Sequence, residues 1–175
     1  MRKIIFALLV AILTTIGTKA QQSQQLTFST TIGTGIPMNS PGSVPFSWQV
    51  TGHYTIHERF SIGIGTGLSL YEKTIIPLFA DAKFTLIKPR KFTPYVECAA
   101  GYGFAPGKSA NGGIFLNPSV GIQHRVFGNK QLFLAIGYEL QKLERLKKQE
   151  QSLFIAEFAE KLNHSSISMK IGFVF

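Results

Sequence analysis

Charged side chains are scarce in this sequence. Asp, Glu, Lys and Arg make up 15% of its 175 residues, although 45% of the residues are hydrophobic. Soluble domains carry about 25% charged residues. Long apolar runs are missing as well, because none reaches the roughly 18 to 20 residues that a membrane-spanning helix needs. The two deficits together indicate a surface that faces something other than water, in a chain that does not cross a membrane by helices.

Cysteine is nearly absent, and so are the motifs of cofactor binding. Cys98 is the single cysteine, so neither an internal disulfide nor a cysteine metal site can form. The sequence has no phosphate loop, zinc signature or nucleotide fingerprint, and we therefore expect no cofactor and no metal ion. The formal net charge of +9 comes without a basic stripe interleaved with aromatic residues. This argues against nucleic acid as a partner, whereas anionic lipid headgroups fit the charge better.

The N-terminus has the pattern of a secretory signal peptide. Arg2 and Lys3 precede a short apolar segment, and small residues stand where a signal peptidase would recognise them. We expect cleavage after Ala20, which divides the chain into a signal peptide (1–20) and one domain (21–175). The alternative is a short membrane anchor, which the shortness of the apolar segment disfavours.

From residue 26 onward, apolar and polar residues alternate with a period of two, which is the signal of β-strands. The predicted connections are short at one end of the strands and mostly longer at the other, as is typical of outer-membrane barrels. The pattern predicts an all-β fold, namely an eight-stranded antiparallel up-and-down transmembrane β-barrel. The eight predicted strands comprise residues 26–34, 44–56, 60–70, 76–86, 94–104, 114–125, 132–140 and 165–175.

The longest predicted loop, residues 141–163, allows three interpretations. Phe154, Phe158 and Leu162 are spaced four residues apart among charged residues, which predicts an amphipathic helix. A charged loop, or strands that continue beyond the membrane, would fit the same residues, and the pattern leaves these alternatives open.

The charged residues indicate which face of the barrel meets its surroundings. All charges on the predicted strand cores lie on the polar face: Asp81, Glu97, Glu139, Lys83, Arg125 and Lys170. They are too few to coat a soluble lipocalin-like barrel, but they suit a self-neutralising ion network in a narrow lumen. The apolar face is then outside, against lipid. Gly63, Gly65 and Gly67 should leave room for long Lys and Arg side chains, and side chains should fill an eight-stranded interior without an open channel.

Three short stretches and the C-terminal segment resemble a known family. Residues 76–81 (IPLFAD), 93–97 (TPYVE) and 137–140 (GYEL) resemble small outer-membrane β-barrel domain proteins, which are similar to the OmpA and OmpX barrels. The alternating Ile171, Phe173 and Phe175 resemble the C-terminal strand that the barrel assembly machinery recognises. The resemblance implies the outer membrane of a Gram-negative bacterium as location, with outer-membrane lipid, lipopolysaccharide and the assembly machinery as partners. It does not imply one function.

One constellation could carry chemistry. Glu139 should face His164 or Ser166 across the last two strands, and a serine, a base and an orienting carboxylate are what acyl transfer needs. The His-x-Ser spacing resembles outer-membrane lipid A deacylases. However, Ile167 stands where that pattern has Asn, and Glu139 precedes the His-x-Ser instead of following it. Because these side chains should also face the lumen, we favour a hydrogen-bond network and expect no enzyme.

A second group of polar residues is expected inside the barrel. Asp81 and Glu97 lie on adjacent predicted strands, and paired carboxylates can share a proton or bind a metal. Lys83 is within diagonal reach, which favours a structural ion-pair cluster, and His53 is predicted to be another polar residue of the lumen.

These observations predict a structural or surface-interaction barrel. Its extracellular loops, chiefly residues 142–162, would contact a partner outside the cell. The alternatives are a lipid A-modifying acyl hydrolase that uses His164 and Ser166, and a soluble lipocalin-like binding barrel. A narrow ion pore is disfavoured by the size of an eight-stranded barrel.

Overall fold

The structure is a computed structural model of the chain, and it describes residues 26–39, 44–71, 73–106, 110–127, 130–151 and 154–175. The predicted signal peptide, residues 1–20, lies outside these ranges. Among the described residues, no helix is long and apolar enough to cross a membrane.

Nine strands occupy most of the described part of the chain. Eight of them are long, and each of the eight predicted strands overlaps one of these. The remaining strand, β6, has two residues. The strands are β1 (Leu26–Pro37), β2 (Phe46–His57), β3 (Phe60–Leu70), β4 (Thr74–Thr85), β5 (Phe92–Phe104), β6 (Ala110–Asn111), β7 (Gly113–Phe127), β8 (Lys130–Gln151) and β9 (Phe154–Val174).

The eight long strands form a closed antiparallel barrel. Each of them pairs with the next long strand along the chain, and β1 pairs with β9 to close the sheet. The short β6 lies on β8, where Ala110 pairs with Arg145. Closure pairs the strand edges with one another, which hydrocarbon demands of backbone polar groups. The predicted eight-stranded up-and-down barrel is confirmed.

The strands β8 and β9 are much longer than the others and continue beyond the barrel. They comprise 22 and 21 residues and pair without a break from Gln131↔Val174 to Gln151↔Phe154. In contrast, β7 pairs with β8 only as far as Gln141, and β1 pairs with β9 only as far as Ser166. We call residues 142–151 and 154–165 the ribbon.

The ribbon decides between the interpretations of the predicted loop 141–163. The helix expected from Phe154, Phe158 and Leu162 is wrong, and the alternative of continuing strands is confirmed. The reason is that strand pairing is cooperative. A short helix without a packing partner is marginal in water, whereas each residue added to β8 and β9 extends a ladder that already exists.

The barrel wall is apolar outside and largely polar inside. On the outer face, Ile64 is 72% exposed and Val120 is 60% exposed, whereas Asp81 on the inner face is 4% exposed. Exposed and buried residues alternate along the strands, as a period of two requires. A soluble lipocalin-like barrel would have the opposite arrangement, so that alternative is wrong.

Three apolar clusters fill parts of the interior. The rings of Tyr95 and Phe133 meet edge to face with their centroids 6.3 Å apart, and those of Phe79 and Phe115 lie 5.4 Å apart. Aromatic rings therefore occupy the lumen at two levels. The buried members of the clusters are Tyr95, Phe133, Ala135 and Val174; Phe79, Ala99 and Phe115; and Ile75 and Leu143.

The glycines of β3 make room for neighbours other than those expected. A Cβ atom on Gly63 would lie 2.8 Å from Cδ2 of His53, and one on Gly65 would collide with the ring of Phe79. At Gly67 the nearest side-chain atom is Cγ of Gln49, at 3.0 Å. The expectation that these glycines accommodate Lys and Arg is wrong, because side chains of the adjacent β2 and β4 lie across them.

Candidate functional sites in the lumen

A histidine and a carboxylate meet across three strands near the middle of the inner face. His53 in β2 is paired with Gly63 in β3, and Gly63 is paired with Asp81 in β4. Because Gly63 has no side chain, the imidazole of His53 reaches over β3, and its Nε2 lies 2.5 Å from Oδ2 of Asp81. Both side chains are buried. The contact is a charge-assisted hydrogen bond inside the barrel.

Glu97 in β5 completes this group. One ligand atom each from His53, Asp81 and Glu97 can be chosen so that all three lie within 4.8 Å of one another. The second oxygen of Asp81, Oδ1, is buried and has no hydrogen-bond partner among the described residues. We call these three residues the His53 cluster. The sequence placed His53 on the polar face, but only the register between strands shows that it meets Asp81.

Lys83 lies beside the His53 cluster but does not form the expected ion pair. It is paired across the strands with Glu97, yet in the described part of the chain neither Asp81 nor Glu97 has a lysine or arginine nitrogen within 4.0 Å. Instead, Nζ of Lys83 lies 4.1 Å from the ring centroid of Tyr95 and 5.4 Å from that of Phe133. The ammonium group is therefore held by cation–π contacts.

A second polar cluster surrounds Glu139 in β8. Oε1 of Glu139 accepts a hydrogen bond from the hydroxyl of Tyr71, and Oε2 accepts one of 2.9 Å from Nδ2 of Asn117. The same amide group lies 3.3 Å from Oγ of Ser168. Tyr71 lies in the link between β3 and β4, where burial, and next the neighbouring Glu139 carboxylate, raise the pKa of its hydroxyl above the usual value. It therefore remains a donor to Glu139.

The residues considered for acyl transfer lie close together on the inner face of β8 and β9. Glu139 is directly opposite Ser166, and His164 is two residues further along the same face of β9. His164 stacks on Tyr71 with ring centroids 5.2 Å apart. Oγ of Ser166 is buried and has no hydrogen-bond partner among the described residues, whereas an activated nucleophile is typically hydrogen-bonded to its base. Both oxygens of Glu139 are already engaged.

The remaining predicted site residues lie apart from these clusters. Lys170 is 5% exposed inside the barrel, and Arg125 is exposed at the end that holds the termini. No described carboxylate lies within 4.0 Å of either cation. Ile171 and Phe175 are exposed on the outer face, and Phe173 is half-buried. The lumen network of six ions remains a prediction. So does the assembly signal at Ile171, Phe173 and Phe175.

A cavity that the sequence did not indicate opens at the end of the barrel with the termini. Its volume is about 240 Å³, and its lining includes His53, Lys83, Arg59, Arg125 and Glu58. Arg59 and Glu58 belong to the turn between β2 and β3. The cavity connects that end of the barrel with the His53 cluster.

Comparisons with known proteins agree on the architecture. No family model matches the chain, and no curated protein matches it. Among solved structures, the outer membrane protein OprG from Pseudomonas aeruginosa has a TM-score of 0.66 at 9% identity, covering 86% of this chain and 94% of OprG. Neisserial surface protein A (NspA) has a TM-score of 0.56 at 14% identity, covering 84% of this chain and 95% of NspA.

The chain has the fold of a small outer-membrane β-barrel. Its apolar outer wall needs hydrocarbon around it, and a closed barrel satisfies the hydrogen bonds of its backbone there. The fold and the surface together indicate the outer membrane as its location. Tyr54, Phe92 and Tyr102 are exposed near strand ends, where aromatic girdles occur in such barrels. The outer membrane enzyme PagL also matches, with 8% identity over 82% of this chain and 97% of PagL. Its TM-score of 0.48 is too low to carry an argument about activity.

Proposed function

We propose that this outer-membrane barrel acts at the cell surface through its ribbon and that its lumen does not conduct ions. In barrels of this fold, short turns face the periplasm and longer connections face outward. By that rule the two-residue turn after His57 is periplasmic, and the ribbon is extracellular. The continuous pairing of β8 with β9 as far as Gln151↔Phe154 carries the proposal.

The length of the ribbon supports a role in contact with a partner. At about 3.3 Å per residue, residues 142–151 extend roughly 33 Å beyond the last pair with β7. The backbone of the ribbon is already paired, so a partner that binds it need not order a flexible loop.

The interior supports a closed lumen. Tyr95 and Phe133 lie edge to face at one level, and Phe79 and Phe115 form a second ring pair. An eight-stranded barrel has an interior only wide enough for side chains to fill. These rings therefore leave little room for a row of hydrated ions.

Recordings in planar bilayers test the closed lumen. The protein should give no steady conductance, whereas a variant with Tyr95, Phe133, Phe79 and Phe115 all changed to Ala should conduct, because both ring pairs are gone. The conducting variant is the positive control, because its current shows that protein has inserted into the bilayer. A steady, ion-selective current through the unmodified protein would overturn this part of the proposal.

Proteolysis of whole cells tests the surface role. When intact cells are treated with trypsin, the protein should be cut within residues 145–148, where Arg145, Lys147 and Lys148 lie. The two resulting fragments of the barrel should stay together in an unheated gel. A variant with Lys142, Arg145, Lys147, Lys148 and Lys161 changed to Gln is the matched control and should not be cut within the ribbon. If the ribbon is cut only after the cells are lysed, while residues 88–91 are cut in intact cells, the orientation is reversed and the proposal fails.

The same proposal includes lipid and assembly partners. Outer-membrane lipid and lipopolysaccharide would contact the apolar outer wall, and the barrel assembly machinery would recognise Ile171, Phe173 and Phe175. Replacing Phe175 by Ala should reduce the amount of barrel in the outer membrane. The folded protein's midpoint of unfolding should change little, since Phe175 is exposed.

A further inference from the structure

We propose that the His53 cluster is a binding site for a divalent transition metal ion, with His53, Asp81 and Glu97 as its ligands. The inference is independent of the ribbon, since the cluster lies inside the barrel on strands β2, β4 and β5.

The donor set is the first argument. One imidazole nitrogen and two carboxylate oxygens suit zinc and its neighbours in the first transition row, whereas calcium and magnesium prefer oxygen ligands alone. The three ligand atoms come from three different strands and lie within 4.8 Å of one another. A fourth position would be left for water.

The unsatisfied oxygen of Asp81 is the second and independent argument. Asp81 is 4% exposed, its Oδ2 contacts His53, and its Oδ1 has no hydrogen-bond partner among the described residues. A buried carboxylate oxygen without a partner is costly. A metal ion on this carboxylate would relieve that cost.

The charge of the cluster is the third argument. Counted as formal charges, the two carboxylates of Asp81 and Glu97 exceed the single amine of Lys83 by one negative charge. The ammonium of Lys83 is held over the ring of Tyr95 and does not reach either carboxylate. A proton on His53 or a metal ion can provide the missing positive charge.

The contact between His53 and Asp81 is shorter than the distance between two ligands of one metal ion. Two ligands of one tetrahedral zinc ion are separated by roughly 3.3 Å, given zinc bonds of about 2.0 to 2.1 Å. Nε2 of His53 and Oδ2 of Asp81 are 2.5 Å apart, with the proton of their hydrogen bond between them. The metal ion would displace that proton to solvent, and the two side chains would separate by about 1 Å.

The cavity at the end with the termini provides an entry path. It is lined by His53 and Lys83 at its inner end and by Glu58 and Arg59 at the rim. An ion from the periplasm would enter here. The exposed Cys98 faces outward on β5 and would take no part.

Titration with Zn²⁺ tests the site on the folded barrel in detergent micelles. Calorimetry should give one ion per barrel and, in buffers of different ionisation enthalpy, release of about one proton per ion. Co²⁺ in place of Zn²⁺ should give the visible absorption bands of a four-coordinate ion. Weaker binding as the pH falls is expected, because protons compete for His53.

Variants assign the ligands. His53→Gln and Glu97→Gln should each weaken Zn²⁺ binding at least about tenfold. The matched control is His164→Gln, which changes a histidine of the same lumen outside the cluster and should alter binding less than about twofold. A faster-migrating band in unheated gels shows that each variant is folded.

Two results would overturn the proposal. One is the absence of saturable Zn²⁺ binding by the unmodified barrel at neutral pH, which would mean that a proton alone balances the cluster. The other is binding that survives His53→Gln but is lost in a His57→Gln, His124→Gln double variant. These two histidines lie near the ends of β2 and β7, so the ion would then be bound at the rim.

Discussion

The absence of a side chain at Gly63 should be important for the stability of this barrel. A Cβ atom there would lie 2.7 Å from the backbone oxygen of Gly52 and 2.8 Å from Cδ2 of His53. The imidazole could rotate away, but the backbone oxygen belongs to the paired strand β2 and cannot move without breaking the ladder. Gly63→Ala therefore overpacks the wall and separates His53 from Asp81.

The expected magnitude follows from overpacking. Inserting a methyl group into a filled site costs about 1 to 3 kcal/mol of unfolding free energy. Gly52→Ala is the matched control, since its Cβ would point outward and lie 3.3 Å from Cε1 of Phe28, whose exposed ring can turn. That variant should leave the unfolding free energy unchanged or raise it by up to about 1 kcal/mol.

Urea unfolding of the barrel in lipid vesicles measures both effects. Trp48 is the single tryptophan and is exposed on the outer wall, so its fluorescence reports the change from lipid to water. The reasoning is refuted if Gly63→Ala and Gly52→Ala unfold at the same urea concentration, or if Gly52→Ala is the less stable of the two.

Three further predictions concern the Glu139 region and the N-terminus. Tyr71→Phe should cost about 1.5 to 3 kcal/mol in the same urea assay, because Glu139 loses a donor. The raised pKa of Tyr71 contributes stability that is present below pH of about 10 and lost above it, so stability should fall less steeply at alkaline pH in this variant. Ser166→Ala should change the unfolding free energy by less than about 1 kcal/mol, since Oγ has no partner, and mass spectra of lipid A should show unchanged acylation. N-terminal sequencing of the barrel from outer membranes should begin at Gln21, and a start at Met1 would contradict the signal peptide.

The alternation of residues was sufficient to predict the two faces of the barrel. Side chains in a strand point to opposite sides in turn, so Ile64 and Asp81 could be assigned to the outer and inner faces without knowledge of their neighbours. The six charges then distinguished lipid from water outside. Strand number followed from the same periodicity, because every strand had to cross the same thickness of hydrocarbon.

Contacts between strands could not be predicted in the same way. The meeting of His53 with Asp81 depends on the registers of two strand pairs and on the space above Gly63. A shift of one residue in either pair would turn one of these side chains to the opposite face of the wall. The position of Lys83 over Tyr95 also depends on rotamers, which a pattern of polar and apolar residues does not contain.

The sequence leaves the ribbon undecided between a helix, a loop and continuing strands for a related reason. The spacing of Phe154, Phe158 and Leu162 satisfies a helix as well as it satisfies other structures. What distinguishes a strand from a helix here is the backbone pairing of β8 with β9 inside the barrel. That pairing is a property of the whole barrel and is not visible in a window of twenty residues.

The pairing of β1 with β9 has a consequence for truncated chains. The amide of Phe28 donates to the carbonyl of Phe175 at 3.1 Å, and the amide of Phe175 donates to the carbonyl of Phe28 at 2.8 Å. The sheet therefore closes only when β9 reaches β1. A chain truncated before β9 would leave β1 and β8 as two open edges in hydrocarbon, where unpaired backbone groups are not tolerated. Closure thus distinguishes chains that contain β9 from truncated ones, since only the former present no free sheet edge to the lipid.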